Sequence, residues 1–369
     1  MKIRPPLDLA KLRVRPLSER RSLTRAEDIL LAPDSTPSNL SPTQLEAINN
    51  CAQRIREARK CDASVMLIYG AHLLRNGAAQ IIEKLLAHGW ITHLATNGAG
   101  SIHDWEYAWC GASTEGVEEN VATGTFGSWH ETATCIHIAL MCGALEGLGY
   151  GASLGRFISE NGTFVPAAAD LATALATQPH HPLSAARADL LHALHSGHLT
   201  SGPFPMEHRF PHASILAAAW RHQVPATIHP GIGYDIISNH PIFSGSVLGR
   251  AGEADFKSFA GSVEGLDGGV VLSVGSAVMG PQVFEKTMSC VNNLRLQEGR
   301  PVVKGHSIDV VDLQDGGDWD WSVGEPPKTN PAYYLRFCKS FSRMGAPMRY
   351  LQCDNAAFIH NLLHALQAP

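Results

Sequence analysis

Short apolar runs alternate with amphipathic segments along this sequence, and a glycine turn joins several of the runs to the segment that follows. In residues 91–106, a strand-like Ile-Thr-His-Leu-Ala-Thr leads into Asn97-Gly98-Ala99-Gly100 and then into a predicted helix. Similar turns follow the runs at 64–70, 224–228 and 268–274. Strand, turn and helix repeated in this order are typical of parallel βαβ units.

The apolar runs predict the strands of one sheet. They lie at 64–70, 91–96, 224–228, 268–274, 307–313 and 348–352. We therefore predict an α/β fold with a doubly wound, mostly parallel Rossmann-like sheet. It would form a single domain over 41–369, with a helical insertion at about 150–205 and a basic arm at 1–40. Ligands bind such sheets beyond the carboxyl ends of the strands, so the glycine turns should share one ligand-binding edge.

Two helix starts near that edge are predicted from capping residues. Ser101 or Asp104 is expected to cap the helix that follows the 97–100 turn. Ser113 is expected to cap a short acidic helix within 111–127. These predictions place the polar side chains of both segments close to the edge.

The composition argues against several classes of function. The 369 residues carry a net charge of −5 and the sequence pI is near 6.4, so no nucleic-acid partner is expected. No apolar run reaches the length of a membrane span, so no membrane partner is expected either. The eight cysteines form no Cys-x-x-Cys motif and lie mostly in apolar segments, which favours reduced thiols and a cytoplasmic location. The basic arm lacks an apolar signal core, and we expect it to pack on the body or on a neighbouring subunit.

Histidines are frequent between 180 and 212, and three of them recur at every third position. The three are His192, His195 and His198. A zinc site needs four converging ligands, and no spacing of Cys or Glu in this region completes such a set. We therefore predict no metal site and assign these histidines to the surface or the core.

Polar side chains concentrate in and after the predicted turns. Backbone N–H groups after Gly98, Gly231 and Gly275 would suit the diphosphate of a dinucleotide. Carboxylates and tryptophans would suit a cationic amine, and a histidine would transfer a proton. The side chains expected at this edge are His72, Asn97, His103, Asp104, Glu106, His229, Asp235, Ser276, Asp315, Asp318, Trp319, Trp321 and Glu325. Alternatively, residues 315–318 form only a turn and the two tryptophans belong to the core.

Several segments resemble, in order, motifs of the deoxyhypusine synthase family, and in particular its divergent bacterial branch. The segments are 70–72, 95–106, 111–120 and 269–277, and the similarity covers roughly residues 40–366. The resemblance implies a Rossmann-like sheet, NAD bound at subunit interfaces and a homo-oligomer, usually a tetramer. It also implies polyamine chemistry, in which an aminoalkyl group passes from spermidine through an imine on an enzyme lysine to an acceptor amine.

The resemblance, together with the turns, assigns roles to individual residues. The predicted cofactor-binding residues are Thr96, Asn97, Gly98, Ala99, Gly231, Gly275 and Ser276. The predicted substrate-binding residues are Asp235, Asp318, Trp319, Trp321 and Glu325. The predicted catalytic residues are Lys328, His103 and Asp104. His103 and Asp104 fall where the family has acidic residues, and Lys328 falls near the position of its imine-forming lysine.

The sequence departs from the family at two of its motifs. Lys328 follows Pro-Pro rather than Trp-Gly, and a Pro-Pro-Lys loop does not promise the desolvation that an imine-forming lysine needs. The family's histidine pair after its second glycine turn is absent from the turn at 274–281. We therefore expect an NAD-binding, amine-processing enzyme with an altered substrate rather than deoxyhypusine synthesis itself.

Two other functions are compatible with the same pattern. The protein would bind a nucleotide or a sugar phosphate, or it would be a hydrolase that uses His103 and Asp104 without imine chemistry. A purely structural oligomer is a third possibility, in which side chains fill the ligand-binding edge.

Overall fold

A computed structural model describes residues 4–275 and 279–368. The strands are β1 Thr24–Arg25, β2 Val65–Tyr69, β3 His93–Asn97, β4 Ala112–Ser113, β5 Gly162–Val165, β6 Gly202–Pro205, β7 Ala226–His229, β8 Val270–Val274, β9 Ser307–Asp312 and β10 Met348–Gln352. The helices are α1 Ala26–Ile29, α2 Pro42–Lys60, α3 Ala71–Arg75, α4 Ala79–Ala87, α5 Gly98–Cys110, α6 Val117–Ala122, α7 His130–Ala144, α8 Tyr150–Ser159, α9 Ala168–Thr177, α10 Ser184–His195, α11 Ile215–Arg221, α12 Gly245–Glu264, α13 Gly280–Gln297, α14 Arg336–Phe341 and α15 Asn355–Gln367. Short 3₁₀ turns link several of them.

Six of the strands form one sheet in the order β7-β3-β2-β8-β9-β10, and every neighbouring pair in it is parallel. These are the six strands that the apolar runs predicted. Every residue of β2, β8 and β9 is buried, as expected of strands covered by helices on both faces. The predicted doubly wound, Rossmann-like α/β fold is therefore confirmed.

The strand order fixes where the sheet has its switch point. The chain starts at β2, moves outward through β3 to β7, and then returns to β8 on the other side of β2. Numbered along the chain, the sheet reads 3-2-1-4-5-6, which is the order of dinucleotide-binding Rossmann sheets. The connections diverge between β2 and β8, so a ligand crevice is expected beyond the carboxyl ends of these two strands.

Helices cover the sheet with two separate apolar cores. One core contains side chains of α2, α4, α8 and α15, and the other contains side chains of α12, α13 and α14. Helix α2 begins at a capping box in which Ser41 and Gln44 bond each other's backbone N–H groups, and its buried face carries Ile48 and Ile55. The two cores thus cover the two faces of the sheet.

The segment between α7 and α11 contains the predicted insertion. Its helices α9 and α10 are flanked by β5 and β6, which form an antiparallel two-stranded ribbon. The region predicted as helical therefore also contains strands, and Gly162 and Gly202 have positive φ angles at the ends of the ribbon. No helix among the described residues is both long and apolar enough to cross a membrane. Within 4–275 and 279–368, no group of three or more His, Cys, Asp or Glu side chains is arranged to hold a metal ion.

The basic N-terminal arm packs on the body of the same chain. Arg15 forms a parallel bridge with Trp129, and β1 pairs antiparallel with β4. Leu17 is buried, and its backbone N–H donates to the Glu131 carboxylate at 2.6 Å. These contacts bring residues 15–25 alongside α5 and α7, at the carboxyl edge of the sheet.

Candidate functional site

The carboxyl ends of the parallel strands lie along one edge, as the turns predicted. In the register of the sheet, Asn97 is opposite His229 and Tyr69 is opposite Val274. Gly98, Gly231 and Gly275, which follow these strand ends, therefore belong to the same edge. Parallel strands lie about 4.8 Å apart, so the ends of β3 and β9, three strands apart, are separated by roughly 14 Å.

A cavity of about 380 Å³ opens beyond the ends of β3 and β7. Its walls come from the arm, the end of α3, the first turns of α5, the loop before α6 and the loop after β7. The lining residues are Arg20, Leu23, Arg75, Ala99, Ile102, His103, Glu106, Thr114, Glu115, Val117, Phe126, Tyr234, Asp235 and Ile236. We call it the His103 cavity, after the histidine in its wall. Arg75 and Asp235 also line it.

His103 begins a chain of hydrogen bonds that runs through Ser113 to Glu106, another residue of the cavity wall. Its Nδ1 lies 2.6 Å from the Ser113 hydroxyl, and that hydroxyl donates to the Glu106 carboxylate at 2.5 Å. Burial lowers the pKa of His103 to about 4, against the opposing effect of Glu106 and with smaller contributions from Arg75, Arg20 and His72. The imidazole is therefore neutral at neutral pH.

Arg75 is the uncompensated cation of the cavity. It lies at the last residue of α3, and no ion pair or hydrogen bond to its guanidinium occurs among the described residues. Its Nε is buried without a partner in the described part of the chain. A half-buried guanidinium that lacks a partner tends to bind an anion, and carboxylates and phosphates match its geometry.

Asp235 is a buried carboxylate of the cavity that has no ion pair among the described residues. It is only 5% exposed, and its Oδ2 accepts from the Gly231 N–H at 2.7 Å. No lysine or arginine in residues 4–275 or 279–368 forms an ion pair with it. Burial raises the pKa of Asp235 to about 6, which is typical of a carboxyl that gains its counter-charge from a ligand.

Asp104, the neighbour of His103, faces another part of the molecule. It is fully buried and binds the start of α11, where its Oδ1 accepts from the backbone N–H groups of Ile215 at 2.7 Å and Leu216 at 3.3 Å. The Ser214 hydroxyl also donates to it. Consecutive residues of a helix point in different directions, so His103 and Asp104 do not form a pair. Burial raises the pKa of Asp104 to about 7.

The β3–α5 turn is tightly packed. Asn97, and not Ser101 or Asp104, caps α5, because the helix begins directly after the strand and the Asn97 side chain accepts from the Gly100 N–H at 2.9 Å. The Thr96 hydroxyl donates to the Tyr69 carbonyl at 2.9 Å. A side-chain carbon at Gly98 would come within 2.1 Å of the Asp235 carboxylate. A carboxylate thus lies where the sequence predicted a diphosphate, and Ala99 is the turn residue that lines the cavity.

The β8 turn faces the switch point. Gly275 has φ of +76°, and a side-chain carbon there would lie 2.8 Å from Nδ2 of Asn355. Oδ1 of Asn355 is buried and has no partner among the described residues. Gly231 follows β7, and its N–H is bound by Asp235. The predicted contact of Ser276 lies outside the described residues.

The remaining predicted residues lie beyond β9, in the other half of the edge. Trp321 is buried and donates to the Gly316 carbonyl at 2.9 Å, and the half-buried Trp319 donates to the Gly324 carbonyl at 2.8 Å. Asp318 and Lys328 are exposed. Glu325 forms ion pairs with Arg343 at 2.5 Å and Lys339 at 3.6 Å. A second cavity of about 490 Å³, lined by Trp319, Trp321 and Tyr350, opens here.

The structure therefore divides the predicted site residues into two groups. His103, Ala99 and Asp235 meet in the His103 cavity, whereas Asp318, Trp319, Trp321, Glu325 and Lys328 surround the β9–β10 end. The sequence analysis missed Arg75 and gave Ser113 a different role, because Ser113 lies in β4 and Gly116 precedes α6. The signal for Arg75 was its position one turn after the Gly70 turn, at the end of a short helix.

Comparisons with known proteins give only remote likenesses. No protein-family model matches the sequence, and no curated protein matches it. Unliganded AgrE is 15% identical, with 90% of this chain and 34% of AgrE aligned and a TM-score of 0.42. ArgZ, an arginine dihydrolase from the ornithine–ammonia cycle in cyanobacteria, is 13% identical, with 87% and 32% aligned and a TM-score of 0.39. A putative LOR/SDH protein from Methanococcus maripaludis S2 is 15% identical, with 96% and 76% aligned and a TM-score of 0.42.

AgrE has also been solved as a ternary complex with ornithine and NAD⁺. The present chain spans about a third of the length of AgrE and ArgZ. At these TM-scores the likenesses carry no argument about function. None of the proteins named is a deoxyhypusine synthase by its description, so that family resemblance stays a prediction. The strand order of the sheet defines a Rossmann-like α/β protein, and its activity has to be argued from the site.

Proposed function

We propose that this protein is an NAD-dependent enzyme that acts on a small zwitterionic amine, of the α-amino-acid type, in the His103 cavity. One observation carries the proposal. At the carboxyl edge of a sheet with the dinucleotide-binding strand order, one cavity combines a neutral histidine with an arginine and an aspartate that have no ion pair within residues 4–275 and 279–368.

The charges in the cavity suit a zwitterion better than a polyamine. Arg75 would bind a carboxylate through paired N–H groups, and Asp235 would bind an ammonium group. Each of these residues lacks a counter-charge within the described chain, so a ligand with both charges would neutralise both. Apolar side chains of Leu23, Ile102 and Ile236 complete the walls and would contact an aliphatic side chain. A spermidine-like polycation would leave Arg75 uncompensated.

The residues at the switch point fit a dinucleotide. Gly275 at the end of β8 is buried and its N–H donates to the Val311 carbonyl at 3.0 Å, whereas Oδ1 of the neighbouring Asn355 is a buried acceptor without a partner among the described residues. The aromatic cavity that contains Trp319 and Tyr350 would suit the adenine ring, and the reactive end would then face the charged groups of the His103 cavity. NAD, when bound, supplies the acceptor for a hydride.

Each residue of the cavity has one task in the reaction. Arg75 and Asp235 would orient the substrate. His103 would accept a proton from the substrate nitrogen through Nε2 while the carbon next to that nitrogen loses a hydride, so that an imine forms on the substrate. The apolar walls and the arm would exclude water from the reacting atoms.

The alternative chemistries lack matching geometry. An imine-forming lysine needs a desolvated site, whereas Lys328 is exposed in a turn beyond β9. A hydrolase that pairs His103 with Asp104 would need the carboxylate beside the imidazole, but Asp104 binds α11. The aminoalkyl transfer implied by the family resemblance stays a prediction about Lys328, which the Lys328→Ala variant tests.

A ligand screen by thermal unfolding tests the proposal. A ligand at a hundred times its dissociation constant stabilises the native state by about 2.7 kcal/mol. We expect stabilisation by NAD⁺ and a further increase with one or more α-amino acids, and no increase with spermidine. Stabilisation by spermidine but by no amino acid would overturn the substrate class, and the absence of any response to NAD⁺ would overturn the cofactor.

A further inference from the structure

We infer that Ser113 and Glu106, clamped by Arg20 of the N-terminal arm, are positioning residues that hold His103 as its Nδ1–H tautomer. Nε2 then carries the free lone pair, on the side of the imidazole opposite Ser113. The catalytic consequence rests on the proposed function, whereas the tautomer is a property of the protein without any ligand.

Glu106 acts only as a hydrogen-bond acceptor. It is fully buried and forms a bidentate ion pair with Arg20, with distances of 2.7 Å and 2.9 Å. The Thr132 hydroxyl donates to its Oε1 at 2.9 Å, and Ser113 lies 2.5 Å from its Oε2. An ionised carboxylate has about four acceptor positions, and these four contacts fill them. A buried, arginine-paired carboxylate has no proton to give to Ser113.

The hydroxyl group of Ser113 has a single hydrogen and can donate only one hydrogen bond. Ser113 is fully buried, and its hydrogen goes to Glu106. The 2.6 Å contact between the Ser113 oxygen and Nδ1 of His103 must then be a bond that the imidazole donates. In a neutral imidazole the other nitrogen, Nε2, is unprotonated. No partner of Nε2 occurs among the described residues, and His103 lines the cavity.

Arg20 connects these hydrogen bonds to the N-terminal arm. Arg20 is 8% exposed and supplies two of the four donors to Glu106. The arm is held by the Leu17–Glu131 contact and by the pairing of β1 with β4, the strand that contains Ser113. The N-terminal arm therefore supplies, through Arg20, two of the hydrogen bonds that hold Glu106 on α5.

Nitrogen-15 NMR of the histidine side chains tests the inference directly, because the two tautomers differ in the shifts of Nδ1 and Nε2. A His103→Gln variant identifies the signal of His103. In the wild-type protein at pH 7 we expect the Nδ1–H form. In Ser113→Ala we expect the protonated nitrogen to change to Nε2 or to become mixed, because the acceptor for Nδ1–H is gone.

Two control variants separate positioning from a general structural effect. Ser153→Ala removes another buried serine hydroxyl, one without a partner among the described residues, and should leave the tautomer unchanged. Thr132→Val removes a donor to Glu106 without touching His103 and should also keep Nδ1–H. An Nε2–H signal in the wild-type protein, or the same tautomer in wild type and Ser113→Ala, would overturn the inference. The wild-type spectrum decides it even where a variant does not fold.

Turnover adds a second, separate readout. If the proposed function holds, Ser113→Ala should lower kcat by about 10-fold or more with little change in KM, because the base is misprotonated while the substrate contacts remain. A wild-type Nδ1–H signal with unchanged kcat in Ser113→Ala would keep the tautomer but remove His103 as the base. That result would count against the proposed function and not against the hydrogen-bond chain.

Discussion

The two halves of the carboxyl edge differ in whether charged side chains without an ion pair line a cavity or lie exposed to solvent. Beyond β3 and β7, Arg75 and Asp235 line one cavity and neither has an ion-pair partner among the described residues. Beyond β9, Glu325 is paired with Arg343 and Lys339. Unpaired charges cost stability, and proteins keep them mainly where a ligand supplies the counter-charge. We therefore identify the reactive half by charged side chains that line a cavity without an ion-pair partner, and not by the number of polar residues.

The largest expected effect on kcat comes from substituting one of the two candidate catalytic residues, His103 and Lys328. His103→Gln should lower kcat by roughly 10²- to 10⁴-fold, since this is the contribution of a general base. Lys328→Ala should leave kcat within about twofold, because Lys328 is exposed and belongs to the other half. Steady-state kinetics with NAD⁺ and the best amino acid of the screen would measure both.

The opposite outcome would reverse the comparison. If Lys328→Ala abolishes turnover while NAD⁺ still binds, and His103→Gln is active, the chemistry belongs to the β9 half and the imine step implied by the family resemblance returns.

The next largest effect should come from Arg75. Arg75→Met keeps the length and the apolar part of the side chain but removes the charge, and it should weaken amino-acid binding by about 1.5–3 kcal/mol, or roughly 10- to 100-fold. Arg209→Met is the matched control, because Arg209 is exposed and has only a 3.9 Å contact with Glu207. Calorimetric titration would show the difference. Equal affinities in the two variants would remove Arg75 from the site.

A substitution of Asp104 tests whether this residue, unlike its neighbour His103, stabilises the fold and does not bind the ligand. Asp104→Asn should lower the free energy of unfolding by about 1–2 kcal/mol, because one of the bonds to the start of α11 is lost. Ligand affinity should not change, since Asp104 faces away from the cavity. Denaturant unfolding and titration of the same sample would separate the two. A loss of affinity at unchanged stability would contradict the assigned role.

A smaller effect is expected from pH. The pKa of Asp235 is raised to about 6, and it must be ionised to bind an ammonium group. Amino-acid affinity should therefore be full above pH 7 and fall as the pH drops through 6, by about tenfold at pH 5. The pKa of His103 is lowered to about 4, so the base itself should be lost only below pH 5. In Asp235→Asn the step near pH 6 should disappear. A step that persists in this variant belongs to another group.

The sheet could be predicted from the sequence, while the pairing within the site could not. Short apolar runs with glycine turns specify buried parallel strands locally, so all six strands were found. The cap of α5 was misplaced because Asn97 belongs to both strand and helix, and no gap separates the two elements. Asp104 looked as reactive as His103, since sequence spacing alone does not show that one faces a cavity and the other faces α11.

Long-range contacts decide the remaining features. Glu106 meets Arg20, a residue 86 positions away, and no local pattern announces that pair. Arg75 is recognised only by the partners that it lacks, which is a property of the folded chain. The grouping of Lys328 with His103 assumed that all strand ends lie within reach of one small ligand, whereas two strands, β2 and β8, separate β3 from β9.

A crystal structure of the protein with NAD⁺ and the preferred amino acid would show where both ligands bind. The account predicts a dinucleotide across the carboxyl ends of β2 and β8, and an amino acid in the His103 cavity with its carboxylate on Arg75 and its ammonium group on Asp235. A dinucleotide bound elsewhere on the chain, or a ligand held by Lys328 with the His103 cavity empty, would contradict it.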